Sequence, residues 1–118
     1  MNASELGRLG EDLALSFYRI HGYRCLDRRW RRGGGEIDLV LCRDQVTVFV
    51  EVKSRGPRSL GRAAEAVSPY QLQRLRQLAR RWCWERGGHV LHPRLDVVTV
   101  DALPEGRGMV LRHYPGVD

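Results

Sequence analysis

Residues 35–55 read GEIDLVLCRDQVTVFVEVKSR, and the pattern of this stretch decides the fold. In its first half Ile37, Leu39 and Leu41 alternate with Glu36, Asp38 and Val40. In its second half Val46, Val48, Val50 and Val52 alternate with Thr47, Phe49, Glu51 and Lys53. Alternation is the period of a β-strand, whose successive side chains point to opposite faces. Two strands, 36–42 and 46–53, joined by a short polar connection around Arg43-Asp44, pair as an antiparallel hairpin. An even loop sets Cys42 opposite Gln45, Val40 opposite Thr47, Asp38 opposite Phe49 and Glu36 opposite Glu51. Opposed residues share a face, so Asp38 and Glu51 become diagonal neighbours and Lys53 joins them.

Working outward, Leu6, Leu9, Leu13, Phe17 and Ile20 recur at steps of three and four and predict a helix over 4–20, with Gly7, Gly10 and Ala14 as an adjoining small-residue stripe. Residues 23–30 read as a first strand that runs into the basic glycine turn at 31–35. Beyond the hairpin, SRGPRSLGR at 54–62 has loop composition. Ser68 followed by Pro69 is an N-cap with proline at the first helical position. Leu72, Leu75, Leu78, Ala79 and Trp82 then mark one face until Gly87-Gly88. Residues 95–100 and 109–114 read as two last strands. The order is α-β-β-β-α-β-β, an α/β arrangement with a mixed sheet flanked by helices, in a single domain over residues 1–118.

Carboxylates gathered on one sheet face repel each other and resist desolvation unless a positive charge sits among them. A hard divalent cation with oxygen ligands, Mg²⁺ or Mn²⁺, meets that need. Asp38 and Glu51 are the candidate ligands. Lys53, two residues beyond Glu51, is placed to steady an attacking water and offset charge on a phosphoryl group. Singly, either acid reads as a surface residue. Their conjunction at the polar ends of two apolar strands gives them weight, as does Lys53 being the one lysine among 20 basic residues.

Those 20 basic residues against 14 acidic ones leave a formal charge of +6, which favours a polyanionic partner. Arginines cluster at Arg28, Arg29, Arg31 and Arg32 around Trp30, at Arg55, Arg58 and Arg62 after Lys53, and at Arg74, Arg76, Arg80 and Arg81 on the second helix. Their guanidinium forks fit phosphate oxygens, so a nucleic acid is the expected partner. Arg31, Arg32, Arg55, Arg58, Arg62 and Arg74 are the candidate phosphate contacts. No apolar run is long enough to span a bilayer and MNASELGRLG lacks the layout of a secretion signal, so a cytoplasmic location is expected and no membrane. Three scattered cysteines suggest neither disulfides nor zinc.

The succession Gly10-Glu11, Gly35-Glu36-Ile37-Asp38-Leu39, Phe49-Val50-Glu51-Val52-Lys53-Ser54-Arg55, Ala66-Val67-Ser68-Pro69 and Arg94-Leu95-Asp96-Val97-Val98 resembles the YraN family of small bacterial proteins over nearly the whole chain. That resemblance implies the restriction-endonuclease-like fold of the PD-(D/E)xK superfamily, which includes archaeal Holliday junction resolvases. It also implies metal-dependent endonuclease activity on DNA, with branched or damaged DNA as candidate substrates and Asp38, Glu51 and Lys53 as the catalytic pattern. Glu11 matches the acid many members carry on the first helix, and the Val52 carbonyl is a further metal ligand. Cutting a Holliday junction would need two active sites, hence a homodimer. Ile37 stands where the superfamily's name has proline, and Gln71 where YraN-like chains commonly have lysine, so a polar nucleic-acid contact persists there without its charge. A non-catalytic nucleic-acid-binding module that keeps the nuclease fold is the alternative.

Overall fold

Asn2 starts the first helix, its side chain accepting from the Glu5 N–H at 2.8 Å, and α1 (Ala3–Ile20) ends where the chain turns at His21-Gly22. In this computed structural model residues 1–57, 67–90 and 92–117 are described; Arg58 and Arg62 lie outside them. Gly10, Ala14, Leu15 and Tyr18 are the buried residues of α1. The large-residue face expected from the sequence is therefore rotated: Leu13 and Phe17 are only partly buried, and Ile20 is 81% exposed. The reason is close approach of the backbones. A Cβ on Gly10 would lie 1.9 Å from Ser54 Oγ and 3.6 Å from the Val100 Cβ, so the small-residue stripe lets the helix settle directly on the sheet.

The sheet runs in chain order, β1 (Arg24–Arg32), β2 (Gly35–Arg43), β3 (Val46–Arg55), β4 (Pro93–Ala102) and β5 (Met109–Tyr114), and α2 (Pro69–Glu85) lies between β3 and β4 in sequence. Only β3 and β4 are parallel, as a crossover through a helix demands; the other neighbours are antiparallel. The mixed sheet and the α-β-β-β-α-β-β order are those expected, although β3 continues to Arg55 where composition predicts a loop from residue 54. One core packs Ala14, Leu15 and Tyr18 of α1 against Leu39, Leu41, Val48, Val50, Val98 and Val100. The other packs Leu75, Leu78, Ala79 and Trp82 of α2 against Ile37, Val40, Phe49 and Leu95. Among the described residues no helix is long and apolar enough to cross a membrane.

The hairpin register differs from expectation by two residues. Arg43 pairs with Val46, Cys42 with Thr47, Val40 with Phe49 and Leu39 with Val50, so the turn is Asp44-Gln45 rather than Arg43-Asp44. Asp44 adopts the left-handed conformation, φ 53°, which aspartate tolerates better than arginine. A two-residue slip keeps every side chain on its face, whereas a slip of one would have separated the acids.

Asp96 is completely buried at the junction of α1, β4 and β5, and it is a structural anchor. Arg94 donates to both its oxygens at 2.8 and 2.9 Å, the Tyr18 hydroxyl donates at 2.7 Å, the Gly116 N–H donates at 3.1 Å, and His113 Nε2 lies 2.8 Å away. Burial alone would raise its pKa. The donated hydrogen bonds outweigh that and hold it below the usual carboxylate range.

Candidate metal centre

The ladder between β2 and β3 ends at Leu39 and Val50, while β2 goes on back to Gly35 beside β1 and β3 goes on to Arg55 beside β4. The register, extended one step, would bring Asp38 level with Glu51 rather than diagonal to it, but the backbone pairing stops short of both residues. Asp38 fills the fork with its own carboxylate: Oδ2 accepts from the Val52 N–H at 2.7 Å. Of Val52, then, the N–H is engaged by the site and holds Asp38 in place.

Carboxyl oxygens of Glu11, Glu36 and Asp38 all lie within 4.8 Å of one another. α1 supplies the first, β2 the other two. The sequence pattern puts Glu36 on the face shared with Asp38 and Glu51 but does not single it out as a candidate ligand. The signal that identifies it is its separation of two from Asp38 on a strand that in fact begins one residue earlier, at Gly35. Glu51 stands beside this trio rather than within it, with its Oε1 3.3 Å from Lys53 Nζ, both side chains mostly buried. The sequence-derived set of Glu11, Asp38, Glu51 and Lys53 is thus brought together, with Glu36 added.

Burial, then the charge of Glu51, pushes the Asp38 carboxyl up to about 8, against the hydrogen bond from Val52, with Glu11 and Glu36 adding to the rise. Burial also raises Glu51, partly countered by Lys53, while Glu36 and Glu11 push it further up. Among the described residues no basic side chain pairs with Asp38 itself, whose carboxylate has only the Val52 N–H. The donors of the site are all carboxylate oxygens, the set a hard divalent cation prefers, so the residues fit Mg²⁺ or Mn²⁺.

A pH dependence follows. A carboxyl whose folded pKa lies near 8 and whose unfolded pKa lies near 4 holds its proton more tightly when folded. Stability without cation is then full below about pH 4 and falls as pH rises through that window. Asp38→Asn keeps an acceptor for the Val52 N–H and removes the charge. In thermal unfolding without divalent ions it should be more stable than wild type at pH 8 by at least about 1 kcal/mol, the gap closing towards pH 4. A gap that stays constant with pH would contradict this.

Arginines of β1 serve as internal counter-ions. Arg29 Nε is 2.8 Å from Glu11, Arg28 is 3.9 Å from it and also pairs with Asp12, and Arg31 Nε is 3.1 Å from Glu36. Arg32 pairs with Glu85 at 3.1 Å and stacks over Trp30 at 4.4 Å, and Trp30 packs against the α2 core rather than standing free. Arg74 donates to the Gly33 carbonyl, bridging α2 and the glycine turn. Arg55, at the end of β3, is partly exposed. Gln71 closes a capping box with Ser68: its N–H donates to Ser68 Oγ at 3.1 Å and its Oε1 accepts from the Ser68 N–H at 3.0 Å. It also lines, with Glu36, Glu51 and Arg74, a cavity of about 160 Å³ beside the acids.

The chain matches, over residues 10–100, the family described as "Uncharacterised protein family UPF0102". It is 45% identical over 114 residues to a UPF0102 protein of Mycolicibacterium gilvum, covering 95% of this chain and 92% of that one. A UPF0102 protein of Corynebacterium efficiens is 43% identical over 115 residues, covering 97% and 92%, and one of Leifsonia xyli 38% identical over 117 residues, covering 96% and 95%. With the matched region holding every acid of the cluster, and relatives at this identity aligned over nearly their whole length, the chain belongs to the UPF0102 family.

Proposed function

We propose that this protein is a Mg²⁺- or Mn²⁺-dependent DNA endonuclease of the restriction-endonuclease-like, PD-(D/E)xK type. The observation that carries the reading is the convergence of Glu11, Glu36 and Asp38 within 4.8 Å, with Glu51 and its Lys53 partner on the neighbouring strand. Acids converging from a helix and two strands, with Asp38 and Glu51 raised by burial, are costly to fold around unless a cation is bound in function.

Asp38, Glu11 and Glu36 would hold the ion, with Glu51 and the Val52 carbonyl completing its oxygen shell. The bound cation supplies a Lewis acid for a phosphoryl oxygen and an activated water. Lys53 presents its ammonium beside Glu51, where it orients that water and offsets negative charge building on phosphorus. Arg31, Arg32, Arg55 and Arg74 hold the flanking phosphates, and nothing in the set reads base sequence. Because Arg29 and Arg31 occupy Glu11 and Glu36 in the free protein, cation binding frees guanidinium groups towards the nucleic acid.

Nicking of supercoiled plasmid in Mg²⁺ or Mn²⁺, abolished by EDTA and by Asp38→Ala, is the expected result; nicking unaffected by Asp38→Ala would reject the assignment. A second reading, a non-catalytic nucleic-acid-binding module with this fold, is favoured by Gln71, whose carboxamide serves as a helix cap where YraN-like chains carry a lysine. Tight DNA binding without any calorimetric Mn²⁺ binding would support it instead.

A further inference from the structure

The cavity beside the acid cluster has a rim that the nuclease chemistry does not use. Tyr70, in the first turn of α2, is 74% exposed and lines it, and Leu75 and Leu78 line it with Glu36, Glu51 and Arg74. An aromatic ring left in water contributes little to folding, and this one stands at the mouth of a space of about 160 Å³, room for a planar ring system. The polar groups around that space are donors and acceptors together. Gln71 spends its Oε1 on the Ser68 N–H, which leaves its Nε2 hydrogens without a partner among the described residues. Arg74 contributes a guanidinium, and Glu36 and Glu51 contribute carboxylate oxygens.

We infer that this cavity is a site for one unpaired nucleobase, stacked on Tyr70, resting on Leu75 and Leu78, and hydrogen-bonded at its edge by Gln71. The inference rests on the nuclease reading and deepens it by naming the substrate class. Because the same cavity is walled by Glu36 and Glu51, the base held there belongs to a nucleotide next to the phosphate that is cut. A base within a continuous duplex stays in its stack and cannot reach such a pocket; one in a bulge, flap, junction or single strand reaches it at little cost. Stacking on an aromatic ring is indifferent to base identity, consistent with a chain that reads shape rather than sequence. Tyr70 is thus a specificity-determining residue, separate from the groups that perform cleavage.

The test is fluorescence anisotropy in EDTA, where no cleavage intervenes. Three labelled duplexes are compared: fully paired, with one unpaired 2-aminopurine, and with an unpaired abasic nucleotide at the same place. Wild type should favour the unpaired base over the abasic site by about 5- to 100-fold and quench the 2-aminopurine fluorescence. Tyr70→Ala should lose both the preference and the quenching, and Tyr70→Phe should keep both. Circular dichroism is expected to be unchanged, since the ring is exposed. If Tyr70→Ala matched wild type on all three duplexes, or wild type bound all three equally, the base site would be overturned while the nucleic-acid reading stood. Wild type that bound none of them, either in EDTA or with Ca²⁺ in place of Mg²⁺, would overturn both.

Discussion

Replacing Lys53 by alanine should lower the rate of metal-dependent DNA cleavage by about 10²- to 10³-fold, the usual loss when one preorganised group is removed from a developing negative charge. The ammonium lies 3.3 Å from Glu51 Oε1, in a mostly buried position, so it is fixed at the edge of the acid cluster rather than sampling solvent. It takes no part in the trio of Glu11, Glu36 and Asp38. Calorimetric Mn²⁺ affinity and anisotropy-measured DNA affinity should therefore change by less than about threefold, well short of one tenfold step of 1.4 kcal/mol. Lys53→Arg should not restore the rate, because a planar fork cannot reproduce a compact point charge beside Glu51. Were Lys53 merely the counter-ion of Glu51, its loss would leave that carboxylate free for the cation, raising Mn²⁺ affinity more than threefold while the cleavage rate stayed within about tenfold of wild type. That pattern would argue against a lysine that orients the attacking water.

Asp96→Ala should produce the largest loss of stability of any single change to a charged residue. The side chain is completely buried and satisfies Arg94, Tyr18, His113 and the Gly116 N–H at once. Removing it strands a guanidinium, a phenol and an imidazole in the region where α1 meets β4 and β5. Breaking a buried pair from one side costs about 3–5 kcal/mol. For a chain of this size that lowers the unfolding midpoint by more than about 10 °C. Because Asp96 is separate from the acid trio, whatever variant remains folded at low temperature should bind Mn²⁺ as wild type does. A midpoint within about 2 °C of wild type would show that the anchor is dispensable.

Period-two alternation in residues 35–55 makes both strands legible and places Asp38, Glu51 and Lys53 on one side. The exact pairing is not legible, because residues 42–47 allow a turn at Arg43-Asp44 or at Asp44-Gln45 with equally apolar strands. The choice falls to the left-handed conformation of Asp44, a tertiary detail. Glu36 is legible as a member of the shared face, but its approach to Glu11 depends on how α1 packs on the sheet, which no local pattern shows. In α1 the regularly spaced leucines point to the wrong side. Burial of the Gly10–Ala14 stripe depends on the fit of one backbone to Ser54 and Val100, contacts more than 40 residues away in sequence. Arg94, two residues from Asp96 on the same face of β4, is a partner that local spacing can suggest, whereas Tyr18, 78 residues away, has no local signature.

Anomalous scattering from a crystal soaked in Mn²⁺ tests the central claim most directly. A cation held by the acid cluster predicts a peak at about 2.0–2.3 Å from carboxylate oxygens of Asp38 and at least one of Glu11, Glu36 and Glu51, lost in Asp38→Ala crystals. Mn²⁺ bound elsewhere on the chain, with these four side chains still paired to Arg28, Arg29, Arg31, Lys53 and the Val52 N–H, would contradict it.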